Sequence, residues 1–152
     1  MMRYTLFLLI LSVVMGCSQK KAENPEEQRL VQELNVYPQV SLELSAEGPW
    51  KIDTVSIDFI LMMGEKINKT GRKLENVKIE EFKALKNGLN HDIENIKAGK
   101  SYKQLEMFTR YVDVLSTEVH QLGSDVMKTN QVGVVRISNH LDIFFDYFQA
   151  EE

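Results

Sequence analysis

Few side chains in this sequence could carry chemistry, and they are scattered. Three histidines (His91, His120 and His140), one cysteine (Cys17) and the adjacent acids Glu26-Glu27 and Glu80-Glu81 are the first to test. A metal site in a helical bundle draws ligands from one helix face, spaced as in Glu-x-x-His. None of the histidines has that neighbour, and Glu118 and His120, two residues apart, leave a helix in different directions. Haem would need a Met and a His on facing helices, for which Met62 or Met63 with His120 is the available pair. The Cys-x-x-Cys-His attachment motif is absent. Nucleophilic catalysis has no Gly-x-Ser-x-Gly elbow to start from, and Lys69-Thr70-Gly71-Arg72-Lys73 lacks the spacing of a phosphate loop. The acid pairs stand where helices should begin, a place that acids favour through the helix dipole alone. No set of residues fills the roles of nucleophile, base and stabiliser together. The expectation is therefore a protein that is not an enzyme, with no catalytic residue, no metal ligand and no cofactor.

The elements that must position these residues read as helices. Asp53 or Thr54 can cap one running to about residue 69, closed by Thr70-Gly71. Its span Ile57 to Met63 is apolar nearly all round, which suits an element surrounded by others. Asn76 can cap the next, about 76–97, whose stripe is Ile79, Phe82, Leu85, Leu89, Ile93 and Ile96 before Gly99. Ser101 with Gln104 offers a capping box for a third helix, about 101–122, with Leu105, Phe108, Val112, Leu115, Val119 and Leu122 at alternating steps of three and four. Gly123 stops it, and Ser124-Asp125 starts a fourth, about 125–149, with Val134, Ile137, Leu141, Phe144 and Phe148 on its stripe. Apolar seams joined by short turns specify antiparallel neighbours. The fold class expected is all-α, an up-down antiparallel four-helix bundle. At 100° per residue, His91 lies about 165° from its stripe centre, His120 about 110° and His140 about 85°. None should enter the core, and all three should be solvated.

Ahead of the bundle the pattern changes twice. Asn24-Pro25-Glu26-Glu27 signals a short helix ending near Asn35, with Leu30, Val31 and Leu34 on one side and Pro38 beyond it. From 39 to 53, Val40, Leu42 and Leu44 alternate with polar residues, Gly48-Pro49 turns the chain, and Trp50 and Ile52 continue the extended pattern. This predicts an extended crossover laid on the helices. Trp50 in the crossover and Phe145, Tyr147 and Phe148 in the C-terminal aromatic run exceed what one stripe can bury. Buried, they cap the bundle; partly exposed, they form a patch of the kind that marks a partner site.

Composition narrows the partners. The 152 residues carry a formal charge of -4, the wrong sign for nucleic acid, whose phosphates require a basic surface. One cysteine cannot form an internal disulfide, and a chain of this size needs none. At the start, Arg3 precedes an apolar run from Leu6 to Met15, only about 15 Å as a helix and so half of a hydrocarbon core. A positive residue, a short apolar middle and a small residue before the cut follow the pattern of a secretory signal.

Val14-Met15-Gly16-Cys17 resembles the lipobox of bacterial lipoproteins, with Met15 where Ala or Ser is more usual. The resemblance covers the leader alone. It implies cleavage between Gly16 and Cys17 and lipid on the Cys17 sulfur and its new amino terminus. Two or more acyl chains make such attachment stable. Residues 1–16 are then a signal peptide, 17–24 the lipidated Cys and a polar tether reaching at most about 25 Å, and 25–152 one helical domain. Ser18 after the Cys resembles the default sorted to the outer membrane, facing the periplasm, in a Gram-negative cell. The expected function is a non-enzymatic envelope lipoprotein that holds the membrane through Cys17 and binds another envelope protein. Alternatives are a bundle that holds an apolar or haem-like ligand, and an envelope immunity or inhibitor protein.

Overall fold

Asp53 begins the helical body. Its backbone is extended (φ -64°, ψ 143°) and its carboxylate accepts from the Ser56 N–H at 2.8 Å, an N-cap that starts α1, Thr54–Gly71. The computed structural model describes residues 40–151, so the leader, Cys17, the tether and the short helix expected near 25–35 lie outside the described residues. After α1 a single 3-10 turn, Leu74–Asn76, leads to α2, Ile79–Ala98. Asn76 belongs to that turn and does not cap α2; the helix starts after Lys78, whose N–H donates to the Glu81 carboxylate at 3.0 Å. Around this turn Leu74 is half-buried against the core and Val77 is buried in it.

The third expected helix is broken. A short α3, Lys100–Gln104, ends at Leu105 (φ -116°, ψ 101°), and α4, Glu106–His120, follows. Ser101 is no capping box for it. Its Oγ accepts from the Asp53 N–H at 2.8 Å and its own N–H donates to Asp53 Oδ2 at 3.2 Å, so Ser101 clasps the start of α1. Gly99 lies under this clasp: an added Cβ would stand 3.3 Å from Ser56 Oγ and 3.0 Å from the Ile96 carbonyl oxygen. Gly123 (φ 77°) ends the α4 region in the left-handed conformation that glycine accepts without cost. The loop is tied by buried Asn130, whose Oδ1 accepts from Gly123 and Ser124 N–H and whose Nδ2 donates to the Ser124 carbonyl. Next comes α5, Met127–Asp142, starting two residues later than Ser124-Asp125 implied.

The largest departure is at the C-terminus. A helix to 149 would leave aromatic side chains on several faces in water. The chain instead makes one short helix, α6 (Phe144–Tyr147), then turns extended at Phe148 (φ -132°, ψ 144°). Strand β2, Phe148–Ala150, pairs in parallel with β1, Trp50–Ile52, in the register Trp50↔Phe148, Lys51↔Gln149 and Ile52↔Ala150. Parallel strands need a long crossover, and here α1 to α6 together supply it. Upstream, Ser45 and Gly48 exchange backbone hydrogen bonds of 3.0 and 3.1 Å around a tight turn, and the Val40–Leu44 alternation forms no strand.

The described residues are mostly helical, in keeping with an all-α class, with this small two-stranded pair added. α1 packs against α2 and α5, and α4 packs against the same two helices. The core between them contains Ile60, Met63, Ile67, Phe82, Leu89, Ile93, Leu115, Val119 and Ile137. α1 is not surrounded, as its apolar run implied: Leu61 and Met62 are 49 % and 44 % exposed on its outer face. Among the described residues no helix is long and apolar enough to cross a membrane.

Candidate functional site

The C-terminal turn to β2 gathers the residues of greatest interest. α4 presents Phe108 and Tyr111 three residues apart on one face, and α6 and β2 bring Phe144 and Phe148 onto them. Ring centroids lie 5.4 Å apart for Phe108–Phe148, 5.3 Å for Tyr111–Phe148 and 5.5 Å for Tyr111–Phe144, with edge-on or tilted planes that aromatic quadrupoles favour. All four rings are fully buried. Of the four residues expected to form a partner patch, Phe148 therefore belongs to the core and offers no surface. Trp50 is half-buried, its indole N–H donating to the Glu43 carbonyl at 2.6 Å. Tyr147 is half-buried, and Phe145 alone stands out, 54 % exposed with its ring edge-on to Phe144 at 4.9 Å. Exposed Leu44 and Ile143 are near in sequence to Trp50 and Phe145.

Beneath the aromatic rings lies a polar group that the sequence reading assigned to solvent. His140, placed on the flank of α5, is buried, because α5 has both α1 and α4 against it and two neighbours cover a wider arc than one stripe. Its Nε2 lies 3.2 Å from the Tyr111 carbonyl oxygen, and the Tyr111 hydroxyl donates to the His140 carbonyl at 3.0 Å, a reciprocal exchange between α4 and α5. The two rings are 4.4 Å apart. His140 Nδ1 stands 3.4 Å from Glu118 Oε2, with the side chains 6 % and 8 % exposed, and that oxygen has no hydrogen-bond partner among the described residues. Burial above all, then the charges of Glu118 and Asp142, pushes the Tyr111 phenol well above its ordinary value, so it remains a neutral donor. Tyr111 and Glu118 went unread as site residues, yet a signal existed. With Leu115 and Leu122 they recur at steps of four, three and four, on the core side of the helix.

The other histidines follow expectation. His91 is exposed; His120 is exposed too, its Nδ1 2.7 Å from the Ser116 carbonyl oxygen. Met63 is in the core. A half-buried ion pair joins α1 to α2, where Lys66 Nζ meets Asp92 Oδ2 at 2.5 Å and Asp92 is 1 % exposed. Glu80 and Glu81 serve the start of α2, Glu81 also pairing with Lys73 at 2.6 Å. No group of three or more His, Cys, Asp or Glu side chains converges among the described residues. Chemically, this arrangement offers an exposed aromatic at one end and buried polar ties between helices. No protein-family model, curated protein or solved structure matches the chain.

Proposed function

We propose that this chain is a lipid-anchored protein of the bacterial cell envelope that works by binding another envelope protein, without catalysis. Cys17 is acylated after cleavage at Gly16, residues 17–24 form the tether, and the helical domain from 25 onward is the binding body. Its α1, α2, the α3–α4 pair and α5 run up and down as a four-helix bundle. The membrane reading is supported by the order of the leader, which places the chain's sole cysteine at the end of Val14-Met15-Gly16-Cys17. For the partner, the observation that carries the reading is Phe145. A large aromatic 54 % exposed on a fold that buries Phe108, Tyr111, Phe144 and Phe148 is the kind of anchor that interfaces use. Half-buried Trp50 and Tyr147 supply the surrounding apolar surface, and an edge of the β1–β2 pair can supply hydrogen bonds to an extended segment.

Two experiments separate the halves of this reading. Metabolic labelling with a palmitate analogue should mark the parent chain and not Cys17→Ser; label kept by the Ser form removes the anchor. Cross-linking and affinity capture from membranes should recover one envelope protein with the parent chain and lose it with Phe145→Asp and Trp50→Ala. Identical captures from all three forms would sink the patch.

A further inference from the structure

We propose that the end of the bundle built from the α1–α2 turn and the start of α5 docks on an anionic lipid bilayer, with Val126 entering the headgroup boundary. The inference rests on the lipid-anchored reading above, which keeps the body beside a membrane, and it adds which surface turns toward that membrane. The overall charge hides the feature that carries it. Residues 69–86 and 121–128 hold seven Lys or Arg against four Asp or Glu, a net of +3. The other described residues, within 40–151, hold seven against thirteen, a net of -6. Packing brings the two basic segments to one end. Lys83 lies 3.3 Å from Asp125, Lys86 donates to the His120 carbonyl at 2.6 Å, and Gln131 Nε2 donates to the Leu74 carbonyl at 3.4 Å. The opposite end is where Asp53 and Ser101 clasp, and the 18 residues of α1 set the two about 27 Å apart. The body is therefore electrically polar along its length, a property of the fold and not of either segment.

Much of the basic charge at this end acts outward. Lys73 is paired with Glu81, and Lys83 with Glu80 and Asp125. Lys69, Arg72, Lys78 and Lys128 are exposed and form no ion pair among the described residues. They are spread over the last turn of α1 and the starts of α2 and α5, which suits a flat array of phosphates better than one small anion. Clusters on the order of four to eight such residues are drawn to anionic leaflets. Val126 favours a bilayer over an acidic protein as the partner. It is 58 % exposed, next to half-buried Met127, and an apolar tip within a basic surface fits the boundary between headgroups and acyl chains. Asp125, the acid beside it, is offset by Lys83. With the far end drawn to the bilayer, the anchored body lies along the membrane and does not stand off it.

The test uses the full parent chain with two kinds of vesicle, phosphatidylcholine alone and equal parts of phosphatidylcholine and phosphatidylglycerol. Amide exchange over residues 72–78 and 123–129 should be roughly tenfold slower on the anionic vesicles, since a few basic side chains near an anionic leaflet supply at least that bias. Salt at about 1 M should abolish the difference, because it shortens the screening length to about 3 Å. Lys69→Glu combined with Lys128→Glu, two exposed and unpaired positions, should abolish it too, with exchange along the buried face of α4 unchanged. Equal exchange on the two kinds of vesicle, or slowing that survives the charge reversal, would overturn the proposal. So would equal slowing by soluble polyglutamate, which would make an acidic protein the partner. Flotation keeps this inference apart from the anchor. A chain that floats with neutral vesicles yet exchanges alike on both is anchored and does not dock. One that floats with anionic vesicles alone docks and is not anchored.

Discussion

Replacing Lys66 by Met should destabilise the fold far more than replacing its partner Asp92 by Leu. The two charges meet at 2.5 Å, but their surroundings differ: the Lys66 side chain is 35 % exposed and Asp92 only 1 %. Asp92 Oδ1 has no hydrogen bond among the described residues, so Lys66 is what compensates the buried carboxylate. Leaving a buried charge unpaired costs 3–5 kcal/mol in fully dry settings; water reaching the Lys66 side lowers this to about 2–3 kcal/mol. In the reverse change the freed ammonium swings into solvent, and an apolar Leu fills the site, for a cost of about 1 kcal/mol or less. Changing both should bring stability back to within about 1 kcal/mol of the parent, since an ion pair and an apolar pair of similar volume are often equivalent. Trp50 is the only tryptophan in the chain, so urea unfolding followed by its fluorescence gives all four corners of the cycle by linear extrapolation. Equal losses from the two single changes, or a double change as unstable as Lys66→Met alone, would refute the reasoning. The first result would mean that water reaches Asp92, the second that the site does not accept an apolar pair.

Three further outcomes are expected. Phe148→Ala should cost about 3–4 kcal/mol in the same denaturation, as a fully buried ring lost from the Phe108–Tyr111–Phe144 cluster, whereas Phe145→Ala should change stability by less than about 0.5 kcal/mol. Similar effects from both would contradict the strand at β2. At Asp53, burial raises the carboxyl pKa, but hydrogen bonds from Ser101 and Ser56 outweigh it and hold the net value below the ordinary 3.8. A lowered value stabilises the fold above pH 3.8 and is lost as pH falls through the folded value, so Asp53→Asn should flatten the acid limb of a stability–pH curve, and an unchanged limb would show that the clasp is not formed. Tyr102, pushed up to about 12 from 10.0 chiefly by its hydrogen bond to Asp113, supports the fold below pH 10 and loses that support as pH rises through 12. An ultraviolet titration of tyrosinate should show one late phenol move back toward 10 in Asp113→Asn; no movement would exclude the bond.

Helical periodicity was enough to find the long elements. Leu105 to Leu122 at alternating steps of three and four, and Ile79 to Ile96 before Gly99, define α4 and α2 because a helix repeats over a few residues and its stripe is a local property. Asp53 as the cap of α1 and Gly123 as a stop were also legible, since caps and left-handed turns depend on the residue itself. The exposure of Phe145 could not be read in the same way, because the aromatic run fits either one long helix or a turn. What chose between them is a partner at the far end of the described chain: Trp50 offers Phe148 a parallel strand, and Phe108 and Tyr111 offer its ring a site.

Tertiary packing alone decided the polar interior. Ser101 would cap a helix by local rules, yet Asp53 holds it, and the helix breaks at Leu105 to allow this. His140 lies beside its stripe, a position that is dry or wet according to how many helices press on that face. Sequence therefore determined where the long helices lie and which apolar stripe each turns inward. Only the three-dimensional arrangement determined which flank residues were enclosed and paired, because enclosure is a property of neighbours and not of the segment that carries the residue.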